Sequence, residues 1–327
     1  MLASMRSAAL HFAGRYRRCL VIGFLLKLLL AKLLLQYLED RNVSFYSAKP
    51  RVSRGNDYVA ICALARNELD VNEWVEYHRL LGVGKIYFHD EMSAPRMRAQ
   101  IQRHIDDEFV DYRVINFYWN DFKHLLSAFF PSISSDNELG LVFNSCLREH
   151  GSKHRWIAFI DVDEYLVATN NRTLPEVLSA YEEYGGLVVN WNLFGSSGHI
   201  SRPKGKVVDN YRKCAMFHVV KTIAQPRHAR HIGINPHYFV YDPPFYAVNE
   251  ARVRTDGASN SPELRQHLYL NHYRLKSLED YKLKQARWGN NFSGKQRNSM
   301  TLDFFYKTDN HTTGDCDPPR PPRRTDQ

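Results

Sequence analysis

Hydrophobic residues in this chain gather into short unbroken runs that end in polar or acidic groups. Tyr58-Val59-Ala60-Ile61-Cys62-Ala63-Leu64-Ala65 is apolar throughout and stops at Arg66-Asn67-Glu68. A run without alternation predicts a strand covered on both faces. Asp70 can then cap a helix whose apolar side carries Val71, Trp74, Val75, His78 and Leu81, with Gly82 and Gly84 ending it. Lys85–Asp90 predicts a second strand, Pro95 opens a helix to about Ile105, and Val110–Phe117 predicts a third strand. A helix over Asn137–His150 leads into Trp156–Ile160, an apolar strand that runs straight into Asp161-Val162-Asp163-Glu164. Strand alternating with helix predicts an α/β fold with a doubly wound, mostly parallel sheet flanked by helices. Ligands of such sheets sit off the carboxyl ends of the strands.

The last of these strand ends carries the sharpest chemistry. Asp161 and Asp163 are two apart, so on an extended chain their side chains leave the same face. Two carboxylates held that close repel unless something positive lies between them. A hard divalent cation, Mn2+ or Mg2+, bound through oxygens and also holding a diphosphate, meets that need. The ordinary alternative is a turn with solvated acids. Neither a dinucleotide fingerprint nor a P-loop occurs, so a nucleotide would be gripped by strand-end side chains and a metal rather than by a glycine-rich turn. Arg66, Asn67, Glu68 and Asp90 stand at the other strand ends.

Composition changes the picture mainly at the termini. The 327 residues are enough for one large α/β domain, and 44% hydrophobic with 24% charged residues are globular values. The net charge of +9 is concentrated at the start: residues 1–56 hold ten Lys/Arg against two acids. A near-neutral body with a basic arm points to a membrane surface or targeting role and away from nucleic acid. Residues 19–38 form a Leu-rich run long enough to cross a bilayer, interrupted by Lys27 and Lys32. The two lysines cost roughly 2.5–3.5 kcal/mol each on an insertion scale, which about offsets the gain from the apolar residues. The predicted organisation is a basic cytosolic segment (1–18), a signal-anchor helix (19–38), a stem (39–56), a catalytic domain (57–305) and a disordered Pro/Arg-rich tail (306–327). Sequons at Asn42, Asn171, Asn291 and Asn310 tilt the orientation toward a type II protein with its body in a secretory lumen, Golgi or similar. Of the five cysteines, four (62, 146, 214, 316) lie beyond the apolar run and are available to pair there, although Cys62 also suits a core position. The spacing of His228, His231 and His237 fits no common zinc pattern.

Five blocks together resemble glycosyltransferase family 92, formerly a domain of unknown function. They are Ala65–Glu68 with Glu73–Val83 and Tyr87–Ser93; Trp156–Leu166; Asn190–His199; Val220–Pro226 with His237 downstream; and Asn271–Ser277. The resemblance spans roughly 58–290 and departs at Glu91-Met92, where relatives have an Asn-rich turn. It implies a GT-A-type nucleotide-sugar fold and an inverting transfer, with galactose the favoured sugar, from a UDP-sugar donor to a glycan acceptor.

Asp163 is the best direct metal ligand, with Asp161 reaching either the metal through water or the ribose; the resemblance implies a histidine that completes the metal shell or touches the diphosphate, which His272, after the short strand Leu268-Tyr269-Leu270, fits, with His237 the other candidate. Arg66 is placed for uracil or phosphate, or for a salt bridge to Glu68 or Glu76, and Asp90 for ribose or base. Lys221 and Lys276 are phosphate candidates or ordinary surface lysines. Gly195-Ser196-Ser197-Gly198-His199 permits a tight loop that approaches a sugar, with Trp191 and Phe194 available to stack on it or to pack in the core. Asp242 and Glu250 are candidates for the general base an inverting transfer needs. Two other readings are a metal-dependent phosphoester hydrolase on a similar sheet and a non-catalytic glycan-binding relative.

Overall fold

The unbroken apolar runs fold as strands buried on both faces. In β1 (Val59–Ala65), Val59, Ile61, Ala63 and Ala65 enter one core while Ala60 and Cys62 enter another, as the two-residue period of a strand requires. The structure, a computed structural model, describes residues 58–115, 138–233, 235–288 and 300–322. The basic segment, the anchor expected over 19–38 and the stem lie outside the described residues, as do Asn42 and Asn291. No helix among the described residues is long and apolar enough to cross a membrane.

β2 (Lys85–Glu91), β3 (Val110–Ile115) and β4 (Trp156–Phe159) join β1 in the order β3-β2-β1-β4, all parallel. The chain between them carries α1 (Val71–Leu80), a 3-10 turn continuing into α2 (Gln102–Asp106), and α3 (Glu138–His150). This half matches the expectation. The other half does not: β5 (Glu164–Ala168), β6 (Gly186–Phe194), β7 (Lys213–Ala224) and β11 (Leu268–His272) continue the sheet as β4-β7-β6-β11-β5. Here β7 runs antiparallel to β4 and β6, and β11 runs parallel to β6 but antiparallel to β5. The sheet is therefore mixed, not mostly parallel. Between β6 and β7, residues 195–212 contain one helix, the four-residue α5 (Val207–Asn210), so no crossover helix covers the sheet there and the chain returns antiparallel. α4 (Leu174–Leu178) precedes β6 and is closed by a Thr173–Glu176 capping box.

Short pieces complete the architecture. β8 (Ala229–Ile232) and β9 (Phe239–Tyr241) form a separate antiparallel pair; β10 (Ala247–Val248) joins β6 and β12 (Gly314–Asp315) joins β7. α6 (Leu278–Trp288) and α7 (Leu302–His311) close the carboxyl side. The tail expected to be disordered from 306 instead carries most of α7, then β12, then a Cys214–Cys316 disulfide to β7. Polar composition misled there, because the segment is held by pairing and a cross-link and not by its own apolar residues. Cys62 and Cys146 form the second disulfide, joining β1 to α3.

α1 is stitched to β5. Trp74 Nε1 donates to the Glu164 carbonyl at 2.7 Å and the Tyr77 hydroxyl to the Leu166 carbonyl at 2.8 Å. His78 donates from Nδ1 to the Trp74 carbonyl (2.9 Å) and accepts at Nε2 from the Leu166 N–H (3.3 Å), so its ring is a fixed, neutral bridge. Asp70 precedes α1 but does not cap it; its carboxylate pairs with Lys276 at 2.7 Å and with Arg202.

Burial lowers the pKa of His78 to about 3 and that of His89 to about 4. In the unfolded chain both rings titrate near the ordinary 6.5, so as pH falls below that value the unfolded state takes up protons the folded state refuses. Stability should be full above pH 6.5 and decline toward pH 4, by about 1.4 kcal/mol per pH unit for each ring. Urea denaturation midpoints between pH 7.5 and 5 measure this, and a flat profile would contradict it.

Candidate active site

Four residues join β4 to β5, and the connection is a tight turn: Glu164 N–H donates to the Asp161 carbonyl at 3.1 Å. Three strands lie between β4 and β5 in the sheet, so the sheet curls to bring their ends together. The turn thus meets side chains from β6, β7, β11 and α6.

On one side stands Lys221 of β7, 1% exposed, with Nζ at 2.8 Å from Asp161 Oδ2 and 3.3 Å from Glu164 Oε2. Glu164 is fully buried, and its Oε2 also accepts the Asp161 N–H at 2.8 Å. Burial favours a neutral Lys221 amine, but Asp161 first and Glu164 second hold its pKa above the usual lysine range. Burial, with Asp161 and Asp163 nearby, pushes the Glu164 carboxyl well up against the pull of Lys221.

On the other side Asp163, 5% exposed, accepts from Lys284 of α6 at Oδ2, while its Oδ1 lies 3.4 Å from His272 Nε2. Burial opposes ionisation of Asp163, yet Lys284 and His272 outweigh it and hold the carboxyl well below the ordinary range. Burial lowers the His272 pKa against the pull of Asp163. His272 arrives by register: β11 sets it opposite Glu164 on β5 and opposite Leu193 on β6. The Trp191 ring packs edge-on against it at 4.4 Å, with His237 a further 5.3 Å from Trp191. His237 Nδ1 donates to the Val220 carbonyl at 2.8 Å, and burial, then Lys221, lower its pKa to about 4. Trp191 Nε1, His272 Nδ1 and Glu164 Oε1 are buried here without a hydrogen-bond partner.

Asp163 and His272 fit a divalent cation. One is held ionised and the other neutral, the forms in which each offers a lone pair, and the two donor atoms are a ligand-to-ligand distance apart. Asp161 shares its Oδ2 with Lys221, as Asp163 shares its own with Lys284, which leaves one oxygen of each carboxylate. Among the described residues, Cys62, His89 and Cys146 also converge, but both sulfurs are consumed in the disulfide.

The remaining sequence candidates have structural employment. Asp90 is fully buried and takes the Ser93 N–H at 2.8 Å, the Met97 N–H at 3.3 Å and the Tyr112 hydroxyl, which leaves it no reach toward a ribose. Arg66 faces Glu91 at 3.5 Å, neither Glu68 nor Glu76. Asn67 sits at φ 53°, its N–H on Ser93 Oγ and its Oδ1 on the Ala94 N–H. Lys276 is buried on Asp70 and, at 3.5 Å, Glu68. Neither Lys221 nor Lys276 is the surface lysine that composition suggested. Glu250 accepts three consecutive N–H groups, Gln266 to Leu268, and Asp242 pairs with Arg230. Glu250 is thus tied to the backbone ahead of β11, while Asp242 keeps half of its side chain exposed beside Arg230.

The glycine-serine loop is buried at Gly195 and Ser196, half-buried at Ser197 and His199, and exposed at Gly198. Ser196 hydrogen-bonds Asp309 of α7 through Oγ (2.7 Å), and Ser197 Oγ accepts the Arg212 and Lys213 N–H groups. His199 Nε2 donates to the Asn210 carbonyl at 3.2 Å. A Cβ on Gly195 would stand 1.9 Å from Thr312 Oγ1, so the packing at the end of α7 by itself requires glycine. Gly195→Ala should destabilise the fold by about 1–3 kcal/mol through overpacking, read by denaturant titration. Lys221→Met leaves Asp161 and Glu164 uncompensated and should cost about 3–5 kcal/mol, the larger of the two losses in the same measurement.

The chain matches Glycosyltransferase family 92 over residues 58–313. A family 92 protein of Oryza sativa subsp. japonica is 28% identical over 157 residues, which cover 47% of this chain and 24% of that protein. One of Ricinus communis is 26% identical over 237 residues, covering 70% of this chain and 37% of its own length. The chain therefore spans well under half the length of these curated relatives. Since the match takes in both halves of the sheet and every side chain of the β4–β5 cluster, the chain belongs to glycosyltransferase family 92.

Proposed function

We propose that this protein is a metal-dependent, inverting glycosyltransferase that moves a sugar, galactose first, from a UDP-sugar to a glycan acceptor. The observation that carries the reading is the ionised Asp163 beside a neutral His272 at the carboxyl rim of the curled sheet, in a member of a glycosyltransferase family. These two residues would hold Mn2+ or Mg2+, which when bound supplies positive charge to a departing diphosphate. Asp161 is a third exposed and anchored through one oxygen by Lys221, which positions it to receive a hydroxyl of the donor. Trp191 covers one side of the His272 ring and keeps water from it. Lys221 holds the turn rigid, so that Asp161 and Asp163 need not reorganise when the donor arrives.

The proposed setting is a secretory-pathway membrane such as the Golgi, with the body lumenal and residues 19–38 as anchor. Two disulfides support an oxidising compartment, and Asn171 and Asn310 are exposed sequon positions.

The full-length chain should release UDP from one UDP-sugar in the presence of acceptor glycans and Mn2+, and stop when the cation is chelated. Asp163→Asn should lower that rate about 100-fold or more while the thermal melt still shows a folded protein. Turnover that is indifferent to chelation, or unaffected by Asp163→Asn, would overturn the reading.

A further inference from the structure

Asp163 already has a positive partner. Lys284, on the second half of α6, places its ammonium on Oδ2 of the carboxylate whose other oxygen faces His272. The contrast with Lys221 is instructive. Lys221 is 1% exposed and held by two acids, whereas the Lys284 side chain is 21% exposed, and its one ion pair among the described residues is with Asp163. One lysine is built in; the other reaches solvent and has a single acid to leave.

It also has somewhere to go. Lys284 lines a cavity together with Arg202, Arg274, Lys276, Glu68 and Asp280. Arg202 and Lys276 are locked there on Asp70 and Asp280 or Glu68, and Arg274 lies over the Phe304 ring at 4.8 Å. The charges of Arg202, Arg274 and Lys276 there are balanced by those of Asp70, Glu68 and Asp280, so an ammonium that left Asp163 would be the one unmatched charge and would favour an incoming anion.

We propose that Lys284 is a tethered counter-ion: it neutralises Asp163 in the empty site and competes with the divalent cation for that carboxylate, then passes to the anionic oxygens of the nucleoside diphosphate once cation and donor are both bound. This rests on the metal-dependent reading above and adds an order of events to it. A buried, ionised Asp163 needs a positive neighbour at all times, and a lysine that yields only when a better one arrives keeps the site intact between turnovers. The donor then helps the cation bind by drawing the lysine away. By linkage, the cation helps the donor to the same extent.

Mn2+ binding to the full-length chain, followed by the loss of the free-ion electron paramagnetic resonance signal, tests this without any turnover. Lys284→Met keeps most of the side chain's apolar stem and removes the charge; it should bind Mn2+ on the order of tenfold more tightly than the unaltered protein in the absence of nucleotide. Adding UDP should tighten Mn2+ binding strongly in the unaltered protein and several-fold less in Lys284→Met, while sugar transfer by the variant falls. Lys282→Met, which removes an exposed charge from the same helix, should behave as the unaltered protein in every arm. Equal Mn2+ affinities in Lys284→Met and the unaltered protein would overturn the counter-ion role and leave the metal reading standing. No Mn2+ binding by either protein, with UDP or without, would overturn both.

Discussion

One buried ammonium holds the candidate site in shape. The β4–β5 turn brings Asp161, Asp163 and Glu164 within four consecutive residues, and two of the three are almost wholly out of water. Unpaired, such a cluster would protonate or pull the turn apart. Lys221 prevents this by reaching from β7 to both Asp161 and Glu164, and the Asp161 N–H closes the ring on Glu164. With Glu164 fixed, its carbonyl can receive Trp74 of α1 and its cross-strand partner on β11 is His272. His272 thus stands opposite an acid whose counter-charge sits on β7, two strands from β11 in the sheet order.

Much of the parallel half was legible in the sequence, because burial on both faces leaves unbroken apolar runs whose ends are marked by polar residues. β1, β2, β4, α1 and α3 all stand where the pattern put them, within a residue or two. Strand direction beyond β4 was not legible. An apolar run reads the same in either orientation, and residues 195–212 between β6 and β7 are long enough for a crossover yet carry one short helix. β7 itself hides its pattern, since Met216, Phe217 and His218 are exposed at its middle while Val220 to Ala224 are buried.

The site divides along a similar line. Asp163 and His272 could be named from an acid after a strand and a resemblance that placed a histidine downstream. Asp90 had the same signature as Asp163, an acid at a strand end, and turned out to be the knot of the β2 loop; what separates them is the set of donors that surround each, Tyr112 and two N–H groups for one, a lysine and an imidazole for the other. Lys284 was missed outright. On a helix with a lysine two residues before it, no local feature distinguishes the one that reaches Asp163. Gly195 misled for the same reason: its nearest neighbour, Thr312, is remote in the chain.

The dispersal of these groups has a consequence for biogenesis. The turn with its three acids emerges from the ribosome well before Lys221, and Lys221 before His272 and Lys284. The parallel strands β3-β2-β1-β4 can assemble at once, since their contacts are already present, but the acids must stay hydrated until β7 comes to meet them. β5 in turn has no hydrogen-bonded neighbour until β11 is made. A nascent chain therefore carries an open sheet edge beside a cluster of carboxylates from the synthesis of β5 until that of β11, and charged groups at such an edge are what discourages wrong pairing in the interval.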